Sequence, residues 1–496
     1  MTSIISNEGT TIRISGTGTA PDLLSVVTDA DVNVVEVGST GVPALEPLVT
    51  VTSDGETAFY ADCSPSALET VVANVTEESG VRAGNPDAVT EHDRETKRLP
   101  SVDLPGLDVG HRRTLGAAGW RRPTDPEDHE RAGGFDVPGS TAVLDAAADL
   151  TGRGWGDLCH DAALTGTWET ARDADGEPVV VVNGHGNPTD TLLLASAPFD
   201  VLDGATAAAR AVGADSIIVY ASNGDERAVE TVREAAGTYP DPTVAIDVVT
   251  GPAVHRAGEP TMALEAIEGN HRLEARLRPP GPESVGLHGQ PTLLHTPRTL
   301  AHLAVTLRDG DGPDTRMMTV RGDVAAPATV ELPESETLSS AVDAVTVDGE
   351  FKAACVGGRF GGLTRDLDVE VGPDALTAAN LGTEGTVRVL ADDRCVLEFV
   401  GKRTQYAADE NCGRCVPCRE GTTQLTELLR DIYDGTYAAG DIQELVSVMD
   451  RSSICAFGVE AGRPARTAIA EFESELQAHA DGHCPTDSCS VPAEVI

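Results

Sequence analysis

Near the C-terminal end of the chain, apolar positions recur at helical spacing. The stretch T-T-Q-L-T-E-L-L-R-D-I-Y carries Leu425, Leu428, Leu429 and Ile432 on one face, which predicts an amphipathic helix. Gly435 is placed to end that helix, and Gly440 to close the short connection after it. A second stripe follows at Ile442, Leu445, Val446 and Met449. A third helix is expected from Pro464, a good first helical position, with Ile469, Phe472 and Leu476 on its face. Earlier in the chain the period changes. E-P-V-V-V-V-N and S-I-I-V-Y-A-S read as buried strands, the second followed by the helical stretch E-R-A-V-E-T-V-R-E-A. T-R-M-M-T-V-R-G-D-V and T-V-E-L-P read as paired strands. Towards the N-terminus, V-N-V-V-E-V-G and P-L-V-T-V-T-S-D-G-E-T-A-F-Y-A predict a strand and a hairpin turning at Asp54-Gly55. Ser64-Pro65 then starts a helix, with the serine as cap and proline at the first position.

Composition bounds what these elements can build. The 496 residues suit about three or four domains. Aromatic residues are only 3% of the chain, so its cores must rest on Val, Leu, Ile and Ala. No apolar run approaches the roughly 20 residues of a membrane helix. The N-terminus lacks a basic region followed by a long apolar one, so a cytoplasmic protein without membrane insertion is expected. Eighty acidic residues against 36 basic ones give a net charge of −44, which repels nucleic acid and anionic membranes. The acids are spread along the chain, the pattern of a salt-adapted, halophilic surface. Lys97-Arg98, His111-Arg112-Arg113 and Arg121-Arg122 stand out as basic islands, expected to pair with that acidic surface.

The ten cysteines change the picture more. In a reducing cytoplasm a cluster of them points to metal or redox work. Cys63, Cys159, Cys355 and Cys395 stand alone and are expected to be small buried apolar residues. The twelve histidines show no metal-ligand spacing. The segment E-N-C-G-R-C-V-P-C-R-E-G differs: Cys412, Cys415 and Cys418 follow at two-residue gaps. Three thiolates so close can hold three corners of one cubane, whereas zinc sites tend to use two separated pairs. Cys455, in S-S-I-C-A-F-G, supplies the fourth ligand of an expected [4Fe-4S] cluster. The plain alternative is a zinc site or unligated thiols. Nothing points to a Ser/His/Asp or Cys/His nucleophile.

C-G-R-C-V-P-C-R-E-G and I-C-A-F-G closely resemble the cluster domain of the NADH-binding flavoprotein subunit of respiratory complex I. The same unit occurs in NAD-linked hydrogenases and formate dehydrogenases. The resemblance continues upstream in G-R-G-W-G-D, V-V-V-V-N-G-H-G, A-G-E-P-T-M-A-L-E-A-I-E-G and R-P-P-G-P-E-S-V-G-L-H-G-Q-P-T. It implies an α/β multidomain fold. A thioredoxin-like domain without cluster ligands spans 8–92, and segment 93–134, rich in Pro, Gly and charge, reads as a linker. A Rossmann-like flavoprotein domain follows at 135–310, and a β-grasp domain at 311–392, with A-A-C-V-G-G-R-F-G-G as its Gly-rich turn. A helical [4Fe-4S] domain (393–482) and a tail (483–496) complete the chain. In the tail, Cys484-Pro-Thr-Asp-Ser-Cys489 looks like the Cys-Pro-x-x-x-Cys that ends this unit in the hydrogenase branch. A second cluster is not expected from two cysteines alone.

The resemblance implies FMN and NAD(H) as further cofactors, carried over onto Gly152, Arg153, Gly154, Asn183 and Glu259. Departures gather at the same pocket. Trp155 replaces a glycine, Asp157 puts a negative charge where a phosphate would lie nearby, and Leu158 stands where the family has a stacking Phe. Asn183 is followed by Gly184-His185-Gly186-Asn187 in place of an acidic run. Pro260 replaces an acid, Gly281 an aromatic, and Thr296-Pro297-Arg298 an Asn-Val-Glu. Together these changes predict that FMN and NADH binding is altered or lost. Trp155 could alternatively stack on a different nucleotide, or serve as a core residue. The N-terminal region is similar to a thioredoxin-like [2Fe-2S] domain whose ligands are gone. Ser39 and Pro43 occupy two ligand positions, and the earlier pair, expected near Gly16-Thr17-Gly18-Thr19, is absent. The expected function is electron transfer within an NADH dehydrogenase-like, formate dehydrogenase-like or hydrogenase-like complex. The partners implied are ferredoxin-like, molybdenum-type or hydrogenase-type subunits. The alternative is a non-catalytic relay or adaptor.

Overall fold

The structure is a computed structural model that describes residues 9–16, 23, 32–76, 81–82, 84–310, 312 and 314–489. Thr17, Gly18 and Thr19, at the expected site of the first ligand pair, lie outside the described residues, as does the tail beyond Cys489.

Three sheets and a helical C-terminal unit build an α/β multidomain fold. The first sheet joins β1 (Thr11–Ser15), β2 (Asn33–Val37), β3 (Leu48–Ser53), β4 (Glu56–Tyr60) and β5 (Ala88–Glu91) in the order β2-β1-β3-β4-β5. The expected hairpin is there: Ser53 pairs with Glu56, and Asp54 and Gly55 between them have φ of 53° and 84°. Two successive positive φ values suit the twist of the flanking strands, which is why Asp-Gly is found here. Helix Pro65–Thr76 begins as predicted, the Ser64 hydroxyl accepting the Ala67 amide at 3.2 Å.

The second sheet is wholly parallel: β6 (Val179–Asn183), β7 (Ser216–Ser222), β8 (Ala245–Gly251) and β9 (Thr292–His295), in the order β8-β7-β6-β9. Val180, Val181 and Val182 are fully buried, the continuous apolar run of a strand covered on both faces. Helices Pro198–Val212 and Pro297–Asp309 cross closely at Gly204, where a Cβ would stand 1.9 Å from the Leu300 carbonyl oxygen. The third sheet is mixed. It contains β10 (Thr315–Gly322), β11 (Ala328–Pro333), β12 (Phe351–Val356), β13 (Gly362–Thr364) and β14 (Thr386–Ala391), in the order β11-β10-β14-β12-β13. β10 and β11 pair, as read from the sequence, and run antiparallel.

Helices Val396–Glu410, Val416–Tyr433, Ala439–Ser452, Ala456–Glu460 and Arg463–Ala480 form the last unit. Its core holds the predicted stripes, with Leu425, Ile432, Ile442, Met449, Phe472 and Leu476 all buried. Gly440 lies inside the second helix rather than in the connection before it.

Segment 93–134 is no loose spacer, although its Pro, Gly and charge read as one. Leu99, Leu104, Leu107 and Trp120 are buried in the core shared with the third sheet. Its basic islands pair internally, as expected. Arg98 bonds Asp309, Arg121 bonds Asp200 at 2.5 Å, and Arg122 bonds Asp128 at 2.8 Å. Arg112 is buried and donates to the carbonyls of Thr40 and Ala118. Arg113 donates to the Gly310 carbonyl at 2.8 Å.

Candidate functional site

Cys412 and Cys415 lie in the turn between helices Val396–Glu410 and Val416–Tyr433, and Cys418 in the first turn of the latter. The turn is built by Asn411. Its side-chain oxygen accepts the Gly413 amide at 3.0 Å, and its nitrogen donates to the carbonyls of Ala407 and Ala408. Gly413 has φ of 78°, which a glycine adopts without strain. Arg419 donates to the Gly413 carbonyl at 2.8 Å and closes the loop. Cys455 precedes helix Ala456–Glu460, and that segment comes in close. A Cβ on Gly458 would stand 2.8 Å from the Cβ of Cys418. Cys412, Cys415 and Cys455 are thus all near enough to Cys418, at one end of the bundle, for their charges to act on its thiol. Burial pushes the Cys418 thiol up, and the negative charge of Cys415, Cys455 and Cys412 adds to it. Cys455 is pushed up to about 12 by burial, with Glu259 and Cys412 contributing. Thiols gathered so closely ionise together only with a cation among them, so the donor set fits iron.

The second feature is a cleft of about 730 Å³ at the carboxyl ends of β6 and β7, lined among others by His185, Asn187, Asp225, Arg227 and His255. Ligands of open parallel sheets bind at such edges. Aromatic rings run from the cleft to the cysteines. Trp155 stacks on His255, with centroids 4.4 Å apart and planes within 12°. His255 lies against Phe457, two residues after Cys455, at 6.2 Å.

The family model for the NADH-ubiquinone oxidoreductase-F iron-sulfur binding region matches residues 398–479, and that for the Nuo51 FMN-binding domain matches residues 147–304. The F subunit of the NADH-quinone oxidoreductase of Streptomyces coelicolor is 30% identical over 361 residues, covering 64% of this chain and 79% of that one. The chain belongs to this flavoprotein family. The alpha subunit of the NAD-reducing hydrogenase HoxS of Cupriavidus necator is 27% identical over 370 residues, covering 68% of this chain and 60% of its own length. A crystal structure of an NAD+-reducing [NiFe]-hydrogenase in the H2-reduced state shares the fold. Its TM-score is 0.61 at 22% identity, over 96% of this chain and 85% of that one.

Within this flavoprotein fold, the chain's own atoms fill the glycine-rich loop. The Asp157 carboxylate is buried at the start of helix Pro297–Asp309. It accepts the amides of Cys159 (2.8 Å) and Thr296 (3.1 Å), the Thr299 hydroxyl (2.7 Å) and His295 Nδ1 (3.0 Å). His295 Nε2 accepts the Trp168 indole N–H at 2.8 Å, so its proton is on Nδ1 and donates to Asp157. Burial raises the Asp157 carboxyl, but His295 and these donors outweigh it and keep it ionised. A carboxylate at a helix N-terminus occupies the place that suits a phosphate.

Arg298 closes the loop from the other side. Its guanidinium lies 2.1 Å from where a Gly154 Cβ would be, and it is clamped by Asp190 at 2.9 Å and the Glu384 carbonyl at 2.6 Å. Gly152 and Gly156 face Cys159, Asp157 and Asn183 at similarly short range. These glycines serve internal packing and leave no open cradle, so the residues present do not fit a flavin phosphate.

The other carried-over residues have structural partners too. Arg153 is buried and turned to His302 and the Thr151 carbonyl, its pKa lowered to about 10 by burial and by Arg316. Asn183 bridges the carbonyls of Gly156 and Gly258. Glu259 caps helix Pro260–Ile267, accepting the amides of Thr261 and Met262. Around Gly258, three buried atoms have no protein partner: Asn183 Oδ1, Trp155 Nε1 and His185 Nδ1. The pocket therefore keeps hydrogen-bonding capacity although its anion seat is taken.

Two expectations need correction. Cys395 is buried as foreseen, but it is not isolated: its thiol meets His479, Cys484 and Cys489. The histidines thus do include two in metal-ligand arrangements, His479 here and His295 beside Asp157 and Cys159. The signal was present in His479, Cys484 and Cys489, each five positions after the last, but Cys395 is remote in sequence.

Proposed function

We propose that this chain is an electron-transfer subunit of an NADH dehydrogenase-like or hydrogenase-like complex, with a [4Fe-4S] cluster on Cys412, Cys415, Cys418 and Cys455. The observation that carries the reading is the approach of Cys455 to the three thiols at the turn shaped by Asn411, Gly413 and Arg419. When bound, such a cluster supplies one-electron chemistry. The chain's part is to hold the thiolates, keep them half-buried and set the charge around them. Arg419 and the exposed Arg414 place positive charge beside the turn, which favours the reduced, more negative state. Phe457, His255 and Trp155 exclude water between the turn and the cleft. The relatives are named as subunits of an NADH-quinone oxidoreductase and of an NAD-reducing hydrogenase, which supports further subunits of a redox complex as partners, with the ferredoxin, molybdenum or hydrogenase type as part of the proposal.

A second reading, a relay without flavin, is favoured by the seating of Asp157 and Arg298 in the glycine-rich loop. The domain limits expected from the resemblance, a cytoplasmic location and a salt-adapted surface belong to the same proposal. No single helix among the described residues is long and apolar enough to cross a membrane. The deciding experiment is anaerobic purification in high salt, with iron, acid-labile sulfide and released flavin measured on one sample. About four irons with stoichiometric FMN supports an NADH-oxidising flavoprotein, and about four irons without flavin supports the relay. Protein without iron refutes both.

A further inference from the structure

We propose that Cys395, His479, Cys484 and Cys489 bind a single structural zinc ion, separate from the iron-sulfur centre and independent of the electron-transfer reading. Their ligand atoms all lie within 4.8 Å of one another. His479 Nε2 is 3.2 Å from the sulfurs of both Cys395 and Cys489, and those two sulfurs are 3.1 Å apart. Zinc bonds of about 2.3 Å to sulfur and about 2.0 Å to nitrogen give tetrahedral edges of roughly 3.5 to 3.8 Å, so a small outward shift of these donors admits one ion. Three thiolates and one imidazole form a closed tetrahedral set, the donor type of structural zinc. A cubane would need its ligands spread around a whole iron-sulfur core, and these donors converge on one point.

The surroundings are those of a built site. Cys395 and His479 are each 3% exposed. His479 Nδ1 donates to the Glu475 carbonyl at 2.7 Å, which leaves the Nε2 lone pair directed at the three sulfurs. The Glu475 carboxylate is itself held by the Val396 amide and by Lys352, each at 2.8 Å. Cys395 caps helix Val396–Glu410, its sulfur accepting the Glu398 amide at 3.4 Å. The Tyr433 ring meets the imidazole edge-on at 5.6 Å and its hydroxyl lies 3.7 Å from Cys489 Sγ. The remaining ring nitrogen of His479 and one face of Cys395 are thus held by the protein.

The position explains the use. Cys395 opens the helical unit, and Cys484 and Cys489 follow its last helix, so the ion ties the two ends of the segment that contains all four cluster cysteines. Segment 481–489 has no regular secondary structure of its own, and this clamp anchors it.

The test is zinc and iron content of the full chain, purified anaerobically from zinc-replete cells, for the native protein and the Cys484→Ser/Cys489→Ser variant. The native protein is expected to hold about one zinc beside its iron, and the variant to lose about ten-fold of the zinc while keeping iron and sulfide. X-ray absorption at the zinc edge of the native protein should show three sulfur neighbours and one nitrogen. That measurement also keeps the proposal falsifiable if the variant fails to fold. Native protein without zinc, zinc retained in a folded variant, or a mass two hydrogens lighter from a Cys395–Cys489 disulfide would each overturn it.

Discussion

The cysteine turn at 411–418 and the glycine-rich loop at 152–157 have kept their backbones on very different terms. In the turn, the side chains that define the chemistry are still present, and Asn411, Gly413 and Arg419 shape the backbone around them. In the loop, Gly152, Arg153 and Gly154 persist, but the Asp157 carboxylate sits where a bound anion would, and Arg298 beside it is already paired with Asp190. A metal centre depends on a few donors with no substitute, so losing one removes it. A nucleotide cradle depends on backbone shape and empty space, and neighbouring side chains can close it while the fold survives. Glycines alone therefore say less about binding than cysteines do.

This contrast can be broken, first and most severely, at the turn. Cys418→Ser should reduce the iron content from about four per chain to a small residue, with loss of the visible cluster absorption. Full retention of iron would remove the turn from the cluster. At the loop, Arg298→Ala leaves the buried Asp190 carboxylate unpaired, and chemical denaturation should show a loss of about 3 to 5 kcal/mol. A loss under about 1 kcal/mol would mean that the ion pair is not the plug inferred here.

The acid limb sharpens the same point at a smaller scale. Burial would raise the Asp200 carboxyl, but Arg121, Arg308 and His129 outweigh it and hold it well below the usual range. Its folded pKa is depressed, so the stability it contributes is present above the unfolded value near 4 and is lost as pH falls below it. Arg121→Gln weakens that hold and should move the acid unfolding midpoint, followed by circular dichroism, to higher pH. An unmoved midpoint would show that Arg308 suffices. The smallest effect belongs to Glu259. Glu259→Ala removes a helix cap and should cost about 1 kcal/mol, with iron content unchanged. If the same variant also abolished nucleotide binding by the native protein, the residue would hold a second role.

Much of this was legible locally. The strands Val179–Asn183 and Ser216–Ser222, the Asp54-Gly55 turn and the three C-terminal stripes follow from periods of a few residues. The triple cysteine spacing belongs to the same scale. Segment 93–134 was misleading because Pro, Gly and charge mark irregular backbone, and irregular backbone can still be packed. Arg112 shows how: its buried guanidinium satisfies carbonyls that no periodic element reaches.

The sequence alone singled out the Cys412, Cys415 and Cys418 triplet proposed to hold the cluster, several helices and strands, and the departures at the pocket, since each is written in neighbouring positions. Only the tertiary structure decided what those departures do. Asp157 reaches the start of a helix well over a hundred residues away, and Arg298 lies over Gly154. It alone brought Cys395 to His479, Cys484 and Cys489. Local pattern fixes which side of an element faces inward, but the partner met there depends on how distant elements pack, and chain spacing carries no record of that.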